Sequence, residues 1–232
     1  MSRSTRVLTL LAAVLIAAGA FLWWQGPSRP GGSPLDTVTD IVDTAATGEQ
    51  VDTSRVVEMA LGRQDAPVTV VEYASFTCPH CRNFHERNFA RLKAEYIDTG
   101  KVRFVLREVY FDRFGLWAGM LARCKAQDPE RYFAMVDLIF GRQREWARGE
   151  TAAEIVAKLK ALGRASGLSD ADIDACLNDL DMAKAMVAVY QKNATADGVQ
   201  GTPTFLINGK KVSGDMTWED FRDLIEQALN AG

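Results

Sequence analysis

Two cysteines separated by two residues are the side chains in this sequence with the clearest capacity for chemistry. The motif Cys78-Pro79-His80-Cys81 follows a run of β-branched residues, and Pro79 suits the first position of an α-helix. We therefore expect Cys78 to lie at a helix N-terminus, where free backbone amides and the helix dipole stabilise a thiolate. A charged His80 would stabilise the thiolate further. Cys81, one turn later, is placed to attack a mixed disulfide formed at Cys78.

Zinc binding and an inert structural bridge are the other uses open to this cysteine pair. Zinc sites in proteins use about four ligands, but Cys124 and Cys176 have no neighbouring Cys or His. The chain has only two histidines, His80 and His85. An inert bridge of such short span would restrict the unfolded chain little, so it would add little stability. The sequence thus favours redox chemistry, with no metal and no other cofactor.

The elements predicted around the cysteine pair form a βαβ unit. Residues 68–74 are rich in β-branched side chains and predict a buried strand that ends just before the motif. The apolar spacing after Pro79 predicts a helix that stops near Gly100, and residues 102–109 alternate as a second strand. Two strands joined by a helix in this way are predicted to be parallel.

A long helical block separates this unit from a second pair of strands. Residues 116–197 show only the helical spacing of apolar side chains. Residues 203–207 then predict a strand, Asn208-Gly209 a tight turn, and residues 210–213 a strand that pairs back. Thr217 is predicted to cap a last helix. The sequence indicates an α/β fold with an inserted all-helical subdomain.

The N-terminal residues predict export from the cytoplasm. Residues 1–24 begin with Arg3 and Arg6 and continue without a charge, which is typical of a signal peptide. The apolar run is also long enough to be retained as a membrane anchor. Residues 25–34, rich in Gly and Pro, predict a flexible linker, and residues 35–63 form an N-terminal extension that opens with a short amphipathic helix. The remaining chain is expected to work in the periplasm.

Composition excludes several classes of protein. The chain has 232 residues, of which 47% are hydrophobic and 25% are charged. These values are typical of a globular protein and exclude a disordered or polytopic membrane protein. The formal net charge of -3 argues against a nucleic-acid partner bound through its phosphates. Four cysteines are too few for a small scaffold built on disulfides.

Four features make the sequence resemble the DsbA-like thiol:disulfide oxidoreductases, which have a thioredoxin fold with a helical insertion. They are the Cys78-Pro79-His80-Cys81 motif, Glu72 six residues before it, the stretch Gly201-Thr202-Pro203-Thr204-Phe205, and the helical block. The resemblance covers most of residues 64–232. It implies a thioredoxin core formed by residues 64–112 and 199–232, with the insertion at residues 113–198.

The resemblance also implies roles for residues outside the cysteine motif. It implies that the Thr202-Pro203 bond is cis and lies against the sulfurs, so that Thr202 offers a backbone edge to an extended substrate. It implies that Glu72 lies under the active site and carries protons for the buried Cys81. The strand pattern alone would make Glu72 an exposed alternate position. His85 is expected to be only a polar position on the helix surface.

Donation of disulfide bonds is the expected activity. A lowered pKa of Cys78 would stabilise the reduced enzyme and make its disulfide a strong oxidant. The protein is expected to be a monomer that oxidises reduced or unfolded exported proteins. The resemblance implies that a membrane quinone-linked oxidase of the DsbB type reoxidises it. A disulfide isomerase or reductase is the alternative, although residues 35–63 are short for the dimerisation domain of family isomerases. A non-catalytic metal-binding or chaperone module is an alternative from another class.

A structural disulfide is expected between the two remaining cysteines. Cys124 and Cys176 each fall on the apolar face of a predicted helix, in a protein sent to an oxidising compartment. Two separate buried thiols, behaving as small hydrophobic side chains, are the competing interpretation. Such a bridge would hold the helical insertion together without joining the catalytic cycle.

Overall fold

The computed structural model describes residues 51–126 and 128–231. The predicted signal or anchor segment, the linker and the short helix after it lie outside these ranges. Within the described residues, no helix combines the length and the apolar character that crossing a membrane requires.

A five-stranded mixed sheet forms the centre of the described chain. Its strands are Met59–Leu61 (β1), Val68–Ala74 (β2), Val102–Glu108 (β3), Thr204–Ile207 (β4) and Lys210–Ser213 (β5). They are ordered β1-β3-β2-β4-β5 across the sheet. Strands β2 and β3 run parallel, and the other neighbours are antiparallel. The predicted βαβ unit and the late hairpin are therefore confirmed.

Helix α1, which connects β2 to β3, alternates between two geometries. It is α-helical over Pro79–Phe84 and Ala90–Leu92, and π-helical over His85–Phe89 and Lys93–Ile97. The other helices are Arg113–Ala122 (α2), Pro129–Gly141 (α3), Gln143–Trp146 (α4), Ala152–Ala165 (α5), Asp170–Leu177 (α6), Leu180–Ala196 (α7) and Trp218–Asn230 (α8). Helices α2 to α7 form the predicted insertion between β3 and β4. The fold is a thioredoxin-like sheet with an inserted helical subdomain.

The two faces of strand β2 are buried against different helices. Tyr73 packs in a cluster with Ala194 of α7. Because side chains alternate along a strand, Glu72 points to the opposite face, which α1 and α8 cover. On that face the rings of Phe84 in α1 and Phe205 in β4 lie 4.7 Å apart between centroids. Burial on both faces leaves only Thr69 of β2 partly exposed.

Strand β1 precedes the expected start of the thioredoxin core at residue 64. Met59 and Leu61 pair with β3 and are buried. They belong to the five-stranded sheet, which therefore extends N-terminal to residue 64. A strand of three residues carries too short a periodic pattern to be distinguished from a loop in the sequence.

A buried ion pair ties the insertion to the sheet. Arg123, which follows α2, donates two hydrogen bonds to Glu108 at the end of β3, with N–O distances of 2.8 and 2.6 Å. The hydroxyl of Tyr132 in α3 donates to the same carboxylate over 2.8 Å. All three residues are buried. The attraction of opposite charges and the hydrogen bonds therefore offset the free-energy cost of removing this pair from water.

A disulfide links two helices within the insertion. It joins Cys124, after the end of α2, to Cys176 in α6, with 5.6 Å between the Cα atoms. Helices α2 and α6 pack against each other. The bridge therefore connects elements that are already neighbours.

Candidate active site

Cys78 occupies the N-cap of α1, between the end of β2 and the first helical turn. Its backbone is extended (φ -77°, ψ 121°), and Pro79 follows inside the first turn. The carbonyl of Cys78 accepts a hydrogen bond from the backbone amide of Arg82 over 3.2 Å. Cys78 is half-buried, whereas Cys81 has no exposed surface. Cys78 is therefore the sulfur of the pair that a substrate can reach.

The two thiols have very different pKa values. Hydrogen bonds from the Cys81 thiol, from the Thr202 hydroxyl and from the backbone amides of Cys81 and His80 stabilise the Cys78 thiolate. They outweigh the effect of burial and lower the pKa of Cys78 to about 5. Burial raises the pKa of the Cys81 thiol, and its hydrogen bond to Cys78 and the charge of Glu72 raise that pKa further. At neutral pH the pair thus holds one proton, on Cys81.

His80 acts on Cys78 through its backbone. Its amide is one of the groups that lower the pKa of Cys78. Its imidazole is 64% exposed, and Nδ1 lies 3.8 Å from the carboxylate of Asp215. This amide acts on Cys78 because the free amides of a helix N-terminus converge on the N-cap residue, and stabilisation by a charged His80 ring stays a prediction.

The segment before β4 lies beside Cys78. The Thr202-Pro203 bond is cis, and the carbonyl oxygen of Thr202 is 3.4 Å from the sulfur of Cys78. The pairing of β4 with β2 and β5 begins at Thr204. Thr202 therefore lies before the paired part of the sheet, next to the reactive sulfur.

Glu72 lies in the interior, where it contacts a histidine. Its Oε2 is 3.0 Å from Nε2 of His85, and the two side chains are 0% and 3% exposed. The negative charge of Glu72 also acts on Cys81, where it contributes to the raised pKa of the thiol. Glu72 is therefore not the exposed strand position that alternation alone would make it.

His85 belongs to the core, and the expectation of a polar surface position is wrong. Its ring stacks on Phe140 of α3 with 4.3 Å between centroids, and it packs against Phe89 at 4.8 Å. The sequence does contain a signal for this position. His85 follows Cys81 by four residues, and such residues share one face of a helix. A buried Cys81 therefore implies a buried His85.

Gln143 of the insertion holds the loop that carries Cys78, and sequence reasoning missed it. Its side-chain amide donates to the carbonyls of Phe76 over 2.7 Å and Cys78 over 2.9 Å. Its oxygen accepts from the Arg82 guanidinium over 3.1 Å. Gln143 is buried. The carbonyls lie 67 and 65 residues away in sequence, so no local pattern indicates the contact.

Asp112 makes a second connection between the insertion and the cysteine loop. It caps α2 by accepting from the amides of Phe114 and Gly115, and it accepts from the hydroxyl of Thr77 over 2.6 Å. Thr77 immediately precedes Cys78. Phe111, the residue before Asp112, has a side chain that is 58% exposed. A large apolar side chain is thus exposed on the loop bonded to the cysteine motif.

Proteins with similar sequences carry names that agree with the chemistry this geometry permits. Residues 54–227 match the family model described as Thioredoxin. A protein-disulfide oxidoreductase of Rickettsia conorii is 34% identical over 172 residues, which cover 74% of this chain and 60% of that protein. This chain thus spans about 60% of the length of that relative. Disulfide bond formation protein D of Bacillus subtilis is 27% identical over 184 residues, covering 73% of this chain and 76% of that protein.

The fold has close counterparts among solved structures. The crystal structure of alpha-DsbA1 from Wolbachia pipientis has a TM-score of 0.70 and 26% sequence identity, covering 81% of this chain and 96% of that chain. The family match extends over most of the chain and includes both cysteines of the motif. This chain therefore belongs to the DsbA-like thiol:disulfide oxidoreductases, enzymes with a thioredoxin fold and a helical insertion.

Proposed function

We propose that this chain is a dithiol oxidase that donates disulfide bonds to exported proteins. One observation carries the proposal: hydrogen bonds at the N-terminus of α1 lower the pKa of Cys78 to about 5. A stabilised thiolate stabilises the reduced enzyme, which makes the disulfide form a stronger oxidant. The partial exposure of Cys78 supports its role as the sulfur that substrates attack.

The proposed reaction passes through a mixed disulfide. A substrate thiolate attacks the sulfur of Cys78, and the Cys78–Cys81 bond breaks with its electron pair leaving on Cys81. A second thiolate of the substrate then attacks the substrate sulfur bound to Cys78, so a substrate disulfide forms and Cys78 leaves as a thiolate. The substrate loses two electrons and the enzyme gains them. The low pKa of Cys78 favours this last step, because thiols of low pKa leave faster.

The proposed substrate site combines a backbone edge with an apolar side chain. An extended substrate segment would pair with the backbone of Thr202, and Pro203 would hold that edge beside the sulfur of Cys78. Phe111 would contact the apolar side chains that an unfolded chain exposes. Both features suit a reduced or unfolded polypeptide.

Glu72 is the proposed proton acceptor and donor for Cys81. Each cycle must add a proton to Cys81 and later remove it, because burial disfavours the thiolate at this position. Glu72 is buried on the strand that leads to the motif, and its charge reaches Cys81. A carboxyl in this position can exchange the proton without exposing Cys81 to water.

The proposed setting is the periplasm, where disulfides persist. Residues 1–24 would direct export and would then be removed or kept as an inner-membrane anchor. A membrane quinone-linked oxidase of the DsbB type would return the enzyme to its disulfide form. In this proposal the enzyme acts as a monomer.

The catalytic assignment is tested with the full chain, oxidised glutathione and a reduced, unfolded test protein. Cys78→Ser should abolish oxidation of the test protein, whereas Cys81→Ala should accumulate a mixed disulfide on Cys78. The double variant Cys124→Ser/Cys176→Ser is the control, because these sulfurs take no part in the proposed exchange. Oxidation at the normal rate by Cys78→Ser would refute the assignment.

The direction of the reaction is tested by equilibrating the enzyme with glutathione buffers. An oxidase should keep its Cys78–Cys81 pair reduced in buffers that leave the cysteines of a reductase oxidised. Quenched alkylation followed by mass spectrometry gives the fraction of each form. A pair that remains oxidised in strongly reducing buffers would contradict the oxidase proposal and favour a reductase.

A further inference from the structure

Glu72 and His85 form a buried acid–base pair behind the cysteines. Glu72 Oε2 and His85 Nε2 are 3.0 Å apart, and both side chains are almost completely enclosed. Their other polar atoms, Glu72 Oε1 and His85 Nδ1, are also buried and have no hydrogen-bond partner among the residues that the structure describes. Polar atoms in protein interiors are normally paired. Two unpaired atoms in one pair therefore indicate a use other than stability.

His85 also lines a cavity. It has a volume of about 320 Å³, which is room for several water molecules. Its lining includes His85, Phe89 and Lys93 of α1 and Asp137 and Phe140 of α3. His85 is also the first residue of a π-helical segment, a geometry that is frequent at functional sites. His85 therefore contacts both Glu72 and a space that can hold water.

We propose that His85 carries protons between Glu72 and water in this cavity. Cys81 would then gain and lose its proton through the protein interior, while substrate occupies the opposite side of the site at Cys78. His85 touches neither sulfur and acts only through Glu72, so it is a positioning residue of the relay. The inference rests on the proposed role of Glu72.

During reoxidation of the enzyme, the relay carries one proton from Cys81 to water. The Cys81 thiol gives its proton to the Glu72 carboxylate, and its sulfur attacks Cys78 in the mixed disulfide. The Cys78–Cys81 bond forms, and the bond from Cys78 to the oxidant sulfur breaks with its electron pair leaving on that sulfur. Glu72 then passes the proton to His85 Nε2, and a movement of the buried ring toward the cavity lets Nδ1 release a proton to water. When a substrate next reduces the enzyme, the transfers run in reverse: Nδ1 takes a proton from water, Nε2 gives one to Glu72, and Glu72 protonates Cys81, which returns the ring to its starting tautomer.

Charged groups from several elements face this relay. Glu72 approaches His85 from β2 and Asp137 from α3, while Glu86 and Lys93 of α1 line the same cavity. Burial raises the pKa of Asp137, and a positive charge on His85 would oppose that shift. His85 and Asp137 therefore interact electrostatically across the cavity. The carboxylates of Asp137 and Glu86 can accept a proton that the ring releases.

The test separates two steps of glutathione exchange in the full chain. Reduced enzyme is mixed with oxidised glutathione, quenched with acid and analysed by mass spectrometry, which follows formation of the mixed disulfide on Cys78 and its resolution by Cys81. His85→Ala should leave formation unchanged, because Cys78 is already a thiolate, and should slow resolution about tenfold or more. Free imidazole should restore resolution, increasingly so as the pH rises and more of it is a base.

Asn88→Ala is the matched control for disturbance of this helical segment. Asn88 is buried on the same π-helical segment as His85, but it donates to the backbone carbonyl of Met216 over 3.0 Å. Resolution in this variant should keep its normal rate. His85→Gln retains a hydrogen-bonding side chain but cannot relay a proton. His85→Gln should slow resolution as His85→Ala does, and it replaces His85→Ala in the experiment if the alanine variant does not fold.

The rates at which these variants resolve the mixed disulfide decide whether the relay operates. Normal resolution in a folded His85 variant would overturn it. Slow resolution in His85→Ala that imidazole does not improve would also overturn it, because that result assigns His85 a structural role. Glu72→Gln should slow resolution and resist rescue by imidazole. Normal kinetics in Glu72→Gln would remove both the Glu72 assignment and the relay, yet oxidation of proteins through Cys78 would remain.

Discussion

The position of a single proton governs the chemistry of the cysteine pair. Amides and the Cys81 thiol donate to Cys78, so Cys78 keeps the negative charge, whereas burial keeps Cys81 protonated. The accessible sulfur is thus the better nucleophile and the better leaving group at neutral pH. Two chemically identical side chains acquire different roles from their surroundings alone.

The pH titration of the reduced enzyme should follow this asymmetry. Thiolate absorbance in the ultraviolet should rise with a midpoint near pH 5, because the pKa of Cys78 is lowered to about 5. Cys81→Ala should shift the midpoint to higher pH, since the Cys81 thiol is the largest source of thiolate stabilisation. Cys78→Ser is the control and should show no transition in this range. A Cys78 midpoint at the ordinary pKa of a thiol would contradict the assignment.

The same pKa links the stability of the reduced enzyme to pH. The pKa of Cys78 in the folded state lies below its ordinary value, so the thiolate adds stability above the ordinary pKa and this contribution is lost as the pH falls through about 5. Urea unfolding from about pH 8 to about pH 4 should show the reduced enzyme losing stability relative to the oxidised enzyme. Cys78→Ser should lack this difference.

At the scale of elements, helix α4 supports the first turn of α1 through one side chain. Gln143→Ala would leave the carbonyls of Phe76 and Cys78 without their side-chain donor. We expect the free energy of unfolding to fall by about 1–3 kcal/mol, the cost of leaving a buried polar group unpaired. Formation of the mixed disulfide should also slow, because the loop that positions Cys78 loses its support.

Gln191→Ala is the matched control for the Gln143 variant, because Gln191 is exposed on α7. Its free energy of unfolding should change by no more than about 0.5 kcal/mol. Urea unfolding of both variants provides the comparison. Equal stability of the two variants would show that the contacts of Gln143 contribute nothing measurable.

The bridge between α2 and α6 should behave as a structural disulfide. Mass spectrometry of the oxidised, exported protein should show a cross-link between Cys124 and Cys176 that survives mild reduction of Cys78 and Cys81. Closing a loop with a sequence separation of 52 stabilises the folded state by up to about 4 kcal/mol in the chain-entropy description. Two free thiols at these positions would refute the bridge.

At the scale of the whole molecule, the pair formed by Glu108 and Arg123 joins the sheet to the insertion. Arg123→Ala would leave the Glu108 carboxylate buried without its counter-charge. We expect the free energy of unfolding to fall by about 3–5 kcal/mol. Combining Arg123→Met with Glu108→Leu should recover most of this loss, since apolar side chains of similar volume replace buried ion pairs at little cost. Thermal or urea unfolding measures both effects.

Arg222→Ala is the control for loss of an arginine. Arg222 pairs with Asp223, but both side chains are largely exposed. Solvent screens such a pair, so its removal should leave the free energy of unfolding nearly unchanged. An Arg123 variant as stable as the Arg222 variant would contradict a structural role for the buried pair.

The sequence alone determined those features whose cause is local in the chain. Alternation and β-branching predicted β2, β3 and the hairpin of β4 and β5, and the helical spacing predicted the insertion. The Cys78-Pro79-His80-Cys81 motif predicted a thiol at a helix N-terminus, because its proline and the preceding strand are immediate neighbours. In each case the residues that carry the signal also form the element.

Tertiary structure decided the contacts between residues that are distant in the chain. The spacing of His85 from Cys81 indicated its burial, but only the packing of α3 and β2 on α1 supplied its partners, Phe140 and Glu72. The folding of α4 against the cysteine loop brought Gln143 to Cys78. Each contact depends on which helix covers which face of the sheet and on the local change to π-helical geometry. These features arise only when the elements bury their apolar surfaces together, so the sequence pattern of one element cannot encode them.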